Sequence, residues 1–243
     1  MATIHFTMGA KGGIGKTLIA STMAQYLRER ERKVDCIDLD YKNASFSQYA
    51  KLNVTCLDLE TDGDIEKRKF DVLIERIAAA DNDTDFILDS GGNIYIPLNN
   101  YMRSNDVYNL LLDMGHRILL HVPIMGGSEL DETMNTLNEL CAFMPDAARI
   151  AVWLNTYHGI IEKDGKSFEQ SSIYKNHKKR IYTLVSIPKF AADMRQDVSE
   201  MYKNKMTYEE AIASPSFPLM PRQRIKMAKN KLFSAMALAK VCD

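Results

Sequence analysis

Short apolar runs alternate along the chain with longer segments in which apolar residues recur every three or four positions. A short continuous apolar run is typical of a buried strand, whereas the three-to-four spacing is typical of an amphipathic helix. The strand-like runs are Ile4–Met8, Val34–Leu39, Phe86–Leu88, Arg117–Val122, Arg149–Leu154 and Arg180–Ile187. The helical segments are Lys16–Arg30, Ile65–Ala80, the segment from Ser128 to about Met144, and Pro221–Val241.

This alternation predicts an α/β fold, in which a mainly parallel sheet of roughly six strands is flanked by helices on both faces. Pro123 is expected to end its strand, and Ser128 is expected to cap the next helix. The polar stretch Glu162–Lys179 predicts a loop with a short helix. Because no stretch has the composition of a linker, residues 1–243 are predicted to form a single domain. Ligands of such sheets bind where the strands end.

Composition narrows the class of protein further. The chain has 243 residues, of which 46% are hydrophobic and 26% charged, as in ordinary globular proteins. Its four cysteines and five histidines have no zinc-site or disulfide spacing. With no signal peptide and no apolar run long enough to span a bilayer, we expect a cytoplasmic protein.

The net charge of −1 conceals a division along the chain. Residues 1–174 carry 17 basic and 26 acidic side chains, a net of −9, whereas residues 175–243 carry 14 and 6, a net of +8. A basic region of this kind is one indication of an acidic partner, such as nucleic acid or a membrane surface.

A glycine-rich turn follows the first predicted strand and is called here the phosphate loop. Its sequence, residues 9–17, is Gly-Ala-Lys-Gly-Gly-Ile-Gly-Lys-Thr. Backbone N–H groups of such a loop surround phosphate oxygens, Lys16 reaches the β- and γ-phosphates, and Thr17 offers its hydroxyl to Mg²⁺. The common phosphate-loop pattern would place a glycine at Ala10, so the better match is K-G-G-x-G-K-T from Lys11.

That signature is the deviant Walker A motif, and the chain resembles the ParA/MinD family of P-loop ATPases. The resemblance implies a P-loop NTPase fold, ATP or ADP with Mg²⁺ as ligands, and an ATP-dependent homodimer. It also implies that Lys11 reaches the nucleotide of the partner subunit and stabilises charge on the γ-phosphate. The residues expected to hold the nucleotide phosphates are Gly12, Gly13, Ile14, Gly15, Lys16, Thr17 and Leu18.

Acidic residues at the ends of two other strands complete the expected site. Strand alternation places Asp38 and Asp40 on the same side, and the resemblance puts Asp38 near the Mg²⁺ shell and Asp40 beside the attacking water. Many family members have Pro-Gln after the second aspartate, whereas this chain has Tyr41-Lys42. Asp89 ends an apolar strand, as the Walker B aspartate that binds Mg²⁺ does. Ordinary strand-end carboxylates are the alternative interpretation.

Two later turns are candidates for recognising adenine. In the family, an asparagine after one late strand hydrogen-bonds the base, and a proline-containing turn after the next strand packs on it. Asn155 and Pro188 occupy those places, although either residue is also a common turn former.

The basic segments 175–180 and 221–241 admit three interpretations. The terminal segment is a helix packed on the sheet, a contact for non-specific DNA binding, or a helix on a membrane surface. The last two would place the protein at the nucleoid or at the inner face of the membrane.

Segments 152–159, 165–169 and 206–211 resemble the plasmid-encoded TraL/StbB group, which acts in conjugal transfer and plasmid stability. The implied function is an ATP-driven dimerisation switch with a protein partner from a plasmid stability or transfer system. Two alternatives are a metabolic ATP-dependent ligase of the same fold and a nucleotide-binding adaptor that does not hydrolyse ATP.

Overall fold

The computed structural model of the protein describes residues 1–61, 64–81 and 83–242. The strands are β1 (Thr3–Thr7), β2 (Lys33–Asp38), β3 (Thr55–Cys56), β4 (Glu60–Thr61), β5 (Asp64–Ile65), β6 (Thr84–Asp89), β7 (Arg117–Met125), β8 (Arg149–Asn155), β9 (Glu162–Lys163), β10 (Lys166–Ser167) and β11 (Ile181–Ser186). The helices are α1 (Lys16–Arg28), α2 (Lys69–Ala78), α3 (Gly92–Ser104), α4 (Val107–Asp113), α5 (Leu130–Phe143), α6 (Ser172–His177), α7 (Ala192–Lys203), α8 (Tyr208–Ala213) and α9 (Leu219–Leu238).

Seven of the described strands form one sheet, in the order β11-β8-β7-β1-β6-β2-β3, and all of its pairs are parallel. The central strand β1 is buried at every position, because helices cover both faces of the sheet. One apolar core lies between the sheet and helices α2 to α5, and the other lies between the sheet and helices α1, α7, α8 and α9. The predicted α/β architecture with a parallel sheet is confirmed.

The strand register brings two of the predicted site residues, Asp38 and Asp89, together with Thr7. Thr7, at the end of β1, lies opposite Asp89 at the end of β6, and Asp89 lies opposite Asp38 at the end of β2. The carboxyl ends of three neighbouring strands therefore meet beside the phosphate loop, where parallel sheets bind ligands.

Three local expectations were wrong. Strand β7 continues through Pro123 to Met125, because the β1 side of the strand has no ladder residue beyond His121 and needs no N–H there. Ser128 lies in a 3₁₀ turn before α5, and its hydroxyl donates to the carboxylate of Glu129 instead of capping the helix. Helix α2 begins four residues later than expected, because Ile65 pairs with Glu60 in the short β4–β5 ladder.

The edge of the sheet at β11 is fastened to the residues that follow α9. The hydroxyl of Thr183 donates to the carbonyl of Ala239 at 2.6 Å, and the hydroxyl of Tyr182 donates to the carbonyl of Lys240 at 2.9 Å. The predicted terminal helix forms from 219 to 238. The residues that follow it are bonded to the outermost strand of the sheet.

Candidate functional site

The phosphate loop joins β1 to α1, as the sequence predicts. Gly13 and Gly15 have φ angles of +79° and +106°, in the left-handed region that glycine adopts at little cost. Gly15 is also the N-cap of α1, so the first N–H groups of this helix face the loop without intrahelical partners. Free N–H groups at the positive end of a helix dipole form a binding site for an anion.

Lys16 places its ammonium group inside this loop. The side chain is only 7% exposed, and its Nζ donates a hydrogen bond to the carbonyl of Lys11. Burial lowers the pKa of Lys16, while the nearby carboxylates of Asp89 and Asp40 oppose that change. A buried cation at the mouth of α1 is an arrangement that favours a bound phosphate.

The buried carboxylate of Asp89 and the partly buried hydroxyl of Thr17 form a pair of oxygen ligands beside Lys16. The Thr17 hydroxyl donates to Oδ2 of Asp89 at 2.6 Å, and the Thr7 hydroxyl donates to Oδ1 at 2.8 Å. Burial raises the pKa of Asp89, whereas the two hydroxyl donors stabilise its ionised form. The carboxylate is thereby held with its oxygens beside the phosphate loop.

This donor set suits a magnesium ion that is also bound by phosphates. Mg²⁺ prefers oxygen ligands and in nucleotide sites takes only one or two from the protein. Within the described ranges, no group of three or more His, Cys, Asp or Glu side chains has metal-binding geometry. Thr17 and Asp89 supply two oxygen ligands, the number that a nucleotide-bound Mg²⁺ takes from a protein.

Asp38 is fully buried and organises the segment that follows β2, residues 39–49, called here the switch loop. Oδ1 accepts the N–H of Asp40 at 3.0 Å, and Oδ2 accepts the N–H groups of Phe46 and Ser47, both at 2.9 Å. Burial raises the pKa of this carboxyl to about 6, despite the backbone donors. Both oxygens of Asp38 accept backbone N–H groups of the switch loop. The position of Asp38 near a Mg²⁺ shell therefore stays a prediction.

Asp40 lies beyond the end of β2, so the strand alternation that was expected to align it with Asp38 does not reach it. Its carboxylate accepts hydrogen bonds from the backbone N–H and the side-chain amide of Asn43. The same carboxylate lies directly against Gly91, the residue before α3. The position of Asp40 is therefore set by Asn43 in the switch loop and by Gly91 in the loop before α3.

These groups surround one open cleft of about 400 Å³, called here the phosphate cleft. Asn43, Ser45 and Ser90 line it as well, and the sequence motifs gave no signal for them. Its lining residues are Gly12, Gly13, Gly15, Lys16, Thr17, Leu18, Asp40, Asn43, Ser45, Asp89, Ser90, Gly91 and Gly92.

A second cavity, of about 280 Å³, contains both candidates for adenine recognition, Asn155 and Pro188. It shares Gly13, Gly15 and Leu18 with the phosphate cleft, so the two spaces meet at the phosphate loop. We call it the base cavity. The amide of Asn155 donates to the carbonyl of Ile14 at 3.4 Å and accepts the N–H of Tyr157 at 3.1 Å.

Most of the apolar wall of the base cavity is formed by residues that no sequence motif indicates. Phe190, Val198, Tyr202, Tyr208 and Leu232 line it, and they come from helices α7, α8 and α9 or the segment before them. The spacing of Met194, Val198 and Met201 is a helical signal for α7 that was not recognised.

Lys11 extends away from the phosphate cleft in this chain. Its Nζ forms ion pairs with Glu129 at 2.7 Å and with Glu132 at 3.0 Å, and the lysine side chain is 40% exposed. Hydrogen bonds to these two carboxylates raise the pKa of Lys11. The predicted reach of Lys11 into a partner subunit would require this contact with the start of α5 to break.

The two basic segments are partly neutralised within the chain. Arg180 pairs with Asp146, Arg224 pairs with Asp197, and Lys229 pairs with Glu29. The apolar face of α9 is buried against the second core. None of the helices in the described part of the chain is both long and apolar enough to cross a membrane.

Comparison with known proteins identifies the family. A family model described as the CobQ/CobB/MinD/ParA nucleotide binding domain matches residues 6–202. The chain therefore belongs to this family of nucleotide-binding proteins. Over its length it is similar to two Escherichia coli proteins named TraL, to which it is 40% and 38% identical across 242 residues. Each alignment covers 99% of this chain and 100% of the relative.

Solved structures of MinD have the same fold. The cell division ATPase MinD of Pyrococcus furiosus aligns with a TM-score of 0.55 at 15% identity, over 95% of this chain and 98% of that one. MinD of Pyrococcus horikoshii, solved with Mg-ADP, aligns with a TM-score of 0.54 at 15% identity, over 95% and 96%. The predicted P-loop NTPase fold and the resemblance to the ParA/MinD and TraL proteins are confirmed.

Proposed function

We propose that this protein is a Mg²⁺-dependent ATPase whose ATP-bound form dimerises and acts in plasmid stability, positioning or conjugal transfer. The observation that supports it most is the phosphate cleft, in which Lys16, Thr17, Asp40 and Asp89 converge on the N-terminus of α1. Membership of a nucleotide-binding family and the similarity to TraL proteins support the same proposal.

In the proposed reaction, the chain acts mainly by positioning groups and stabilising charge. The N–H groups of residues 12–18 and the ammonium of Lys16 would bind the phosphates, and Thr17 and Asp89 would hold Mg²⁺. The metal, when bound, neutralises charge that develops on the phosphate oxygens. Asp40 orients the attacking water, while Asn155 and Pro188 contact the adenine in the base cavity.

Dimerisation is the proposed means of regulation. Lys11 would leave Glu129 and Glu132 and contact the nucleotide of the partner subunit. The set of groups needed for hydrolysis would then be complete only in the dimer. Hydrolysis would then return the protein to the monomer. The partner that reads this state is proposed to be a protein of a plasmid stability or transfer system, because two full-length relatives are named TraL.

Contact with DNA or an anionic membrane remains a further prediction for segments 175–180 and 221–241. Lys226 and Lys231 are exposed on α9, and Lys175, Lys178 and Lys179 are exposed near β11. The packed apolar face of α9 favours the interpretation that this helix first of all stabilises the domain.

The deciding experiment measures nucleotide binding and ATP hydrolysis of the full chain with Mg²⁺, alone and with plasmid DNA or anionic vesicles. Lys16→Ala should lower the rate by about 100-fold or more, whereas Lys33→Ala, which removes an exposed lysine paired with Asp81, should leave it unchanged. A wild-type protein that binds no nucleotide contradicts the proposal. Binding without turnover favours the adaptor, and turnover that depends on a small carboxylic acid favours the ligase.

A further inference from the structure

Ser45 lies in the switch loop between residues that are fixed in place. The next residue, Phe46, is fully buried, and the backbone N–H groups of Phe46 and Ser47 both donate to Asp38. The position of Ser45 is therefore set by the burial of Phe46 and by the hydrogen bonds of the next two residues to Asp38.

The Ser45 hydroxyl contacts Thr17 at the edge of the phosphate cleft. The distance between Oγ of Ser45 and Oγ1 of Thr17 is 2.9 Å. Thr17 gives its one hydroxyl hydrogen to Asp89, so in this pair Ser45 is the donor and Thr17 the acceptor. Each of the two oxygens then keeps a lone pair for a cation.

The spacing of these two oxygens matches neighbouring ligands of a magnesium ion. Mg²⁺ binds oxygen at about 2.0–2.1 Å in an octahedron, which sets adjacent ligand oxygens ~2.9 Å apart. Serine and threonine hydroxyls are hard ligands of the kind Mg²⁺ prefers. Asp89, beside Thr17, supplies the negative charge that a divalent cation requires.

We propose that Oγ of Ser45 is a direct ligand of the nucleotide-bound Mg²⁺, adjacent to Oγ1 of Thr17. This inference rests on the proposed function, because the metal arrives with the nucleotide. The ion would join the start of α1 to the switch loop, which also carries Asp40 and its partner Asn43. Metal binding would thus fix the loop that holds the proposed water-orienting carboxylate.

The first test is a Mg²⁺ titration of the full chain at a fixed concentration of fluorescent ADP, which requires no hydrolysis. Ser45→Ala should raise the Mg²⁺ concentration for half-maximal binding at least ~10-fold. Ser47→Ala is the matched control, since it removes a hydroxyl from the same loop that bonds only to the carbonyl of Ala44. It should leave the half-maximal concentration within about 2-fold of wild type.

A second variant tests direct contact with the metal. Ser45→Cys should bind ADP weakly with Mg²⁺ and regain binding with Cd²⁺, because a thiolate prefers a soft ion. Ser47→Cys should show no such recovery. Wild type in Cd²⁺ measures any contribution of the native thiols, including the exposed Cys56 at the end of β3.

The outcomes separate the two proposals. If wild type shows no Mg²⁺-dependent ADP binding, the proposed function fails. If wild type requires Mg²⁺ but Ser45→Ala titrates like wild type or more tightly, Ser45 only donates to Thr17 and the metal-ligand proposal is overturned. Failure of Cd²⁺ to restore Ser45→Cys above the Ser47→Cys level overturns it as well.

Discussion

The carboxylate of Asp40 lies so close to Gly91 that even a methyl group at position 91 would overlap it. Gly91 has a φ angle of −63°, which any residue adopts, and its lack of a side chain therefore serves space rather than backbone strain. The switch loop and the start of α3 meet at this contact. A side chain at position 91 would therefore displace Asp40.

Gly91→Ala is expected to displace Asp40 without disturbing the phosphate loop. ATP hydrolysis should fall by about 100-fold, the usual contribution of a group that positions or deprotonates a nucleophile. ADP affinity should change little. The rate is measured in a double-mutant cycle with Asp40→Ala, in which Gly91→Ala should cause no additional loss. Additive losses would mean that the glycine acts independently of Asp40.

Releasing Lys11 is expected to favour the dimer. The double variant Glu129→Gln, Glu132→Gln removes the carboxylates that hold Lys11 within its own chain. ATP-dependent dimerisation, followed by analytical ultracentrifugation, should occur at a protein concentration up to ~5-fold lower, the scale of an exposed ion pair.

Asp131→Asn is the matched control for that variant. Asp131 lies between the two glutamates in sequence but pairs with Lys163, so its loss should leave dimerisation unchanged. A double variant that dimerises no more readily than this control would show that the ion pairs do not restrain Lys11. Lys11→Ala should keep ADP binding and lose dimerisation or hydrolysis.

A chain of buried hydrogen bonds crosses the sheet and predicts a pH dependence. Nε1 of Trp153 donates to Nδ1 of His121 at 2.9 Å, so His121 carries its hydrogen on Nε2 and donates to Nδ1 of His5 at 3.0 Å. His5 in turn donates from Nε2 to Asp85 at 3.3 Å. This order requires His121 to be neutral, and burial holds the pKa of His121 well below its ordinary value.

Because His121 is neutral in the fold and titrates near pH 6.5 when unfolded, its contribution to stability is complete above that pH. Below pH 6.5 the unfolded chain binds an extra proton, and the free energy of unfolding should fall by up to ~1.4 kcal/mol per pH unit. The raised pKa of Asp38 has the opposite effect on the free energy of unfolding near pH 6, because protonation of this carboxyl favours the folded state. The comparison is therefore between urea unfolding of wild type and of His121→Gln at pH 7.5 and 5.5.

The stability difference between wild type and His121→Gln should shrink at the lower pH. A difference that stays constant between the two values would show that His121 does not titrate on unfolding.

The terminal helix should contribute to stability through one face only. Leu232 is 1% exposed and packs in the core between the sheet and α9, whereas Leu238, in the same helix, is 86% exposed. Leu232→Ala should lower the free energy of unfolding by about 3 kcal/mol. Leu238→Ala should change it by less than ~0.5 kcal/mol. Equal urea midpoints for the two variants would contradict the packing of α9 described above.

The central strands of the sheet were predicted well from the sequence. They are buried on both faces, and they therefore consist of short apolar runs. Helix α3 was not predicted, although Ile94, Leu98 and Tyr101 share one face, because Pro97 and neighbouring asparagines suggest a turn. No helix was predicted from 190 to 213, the segment that contributes Phe190, Val198, Tyr202 and Tyr208 to the base cavity.

The candidate site was predicted where a residue belongs to a local motif. Lys16, Thr17 and Asp89 converge as expected, because the motif fixes the loop and the parallel register brings strand ends together. Ser45 was missed because its contact with Thr17 depends on how Asp38 folds the switch loop, and no spacing along the chain encodes that contact.

The two hydroxyl bonds from β11 to the carbonyls after α9 affect how the protein can be handled. An outermost strand has an unpaired edge that invites other chains to add to it. A chain shortened before Ala239 would lose both acceptors and release the helix end that lies over this edge. Affinity tags and fusion partners belong at the exposed Met1, since an addition next to β11 would compete with these two hydrogen bonds.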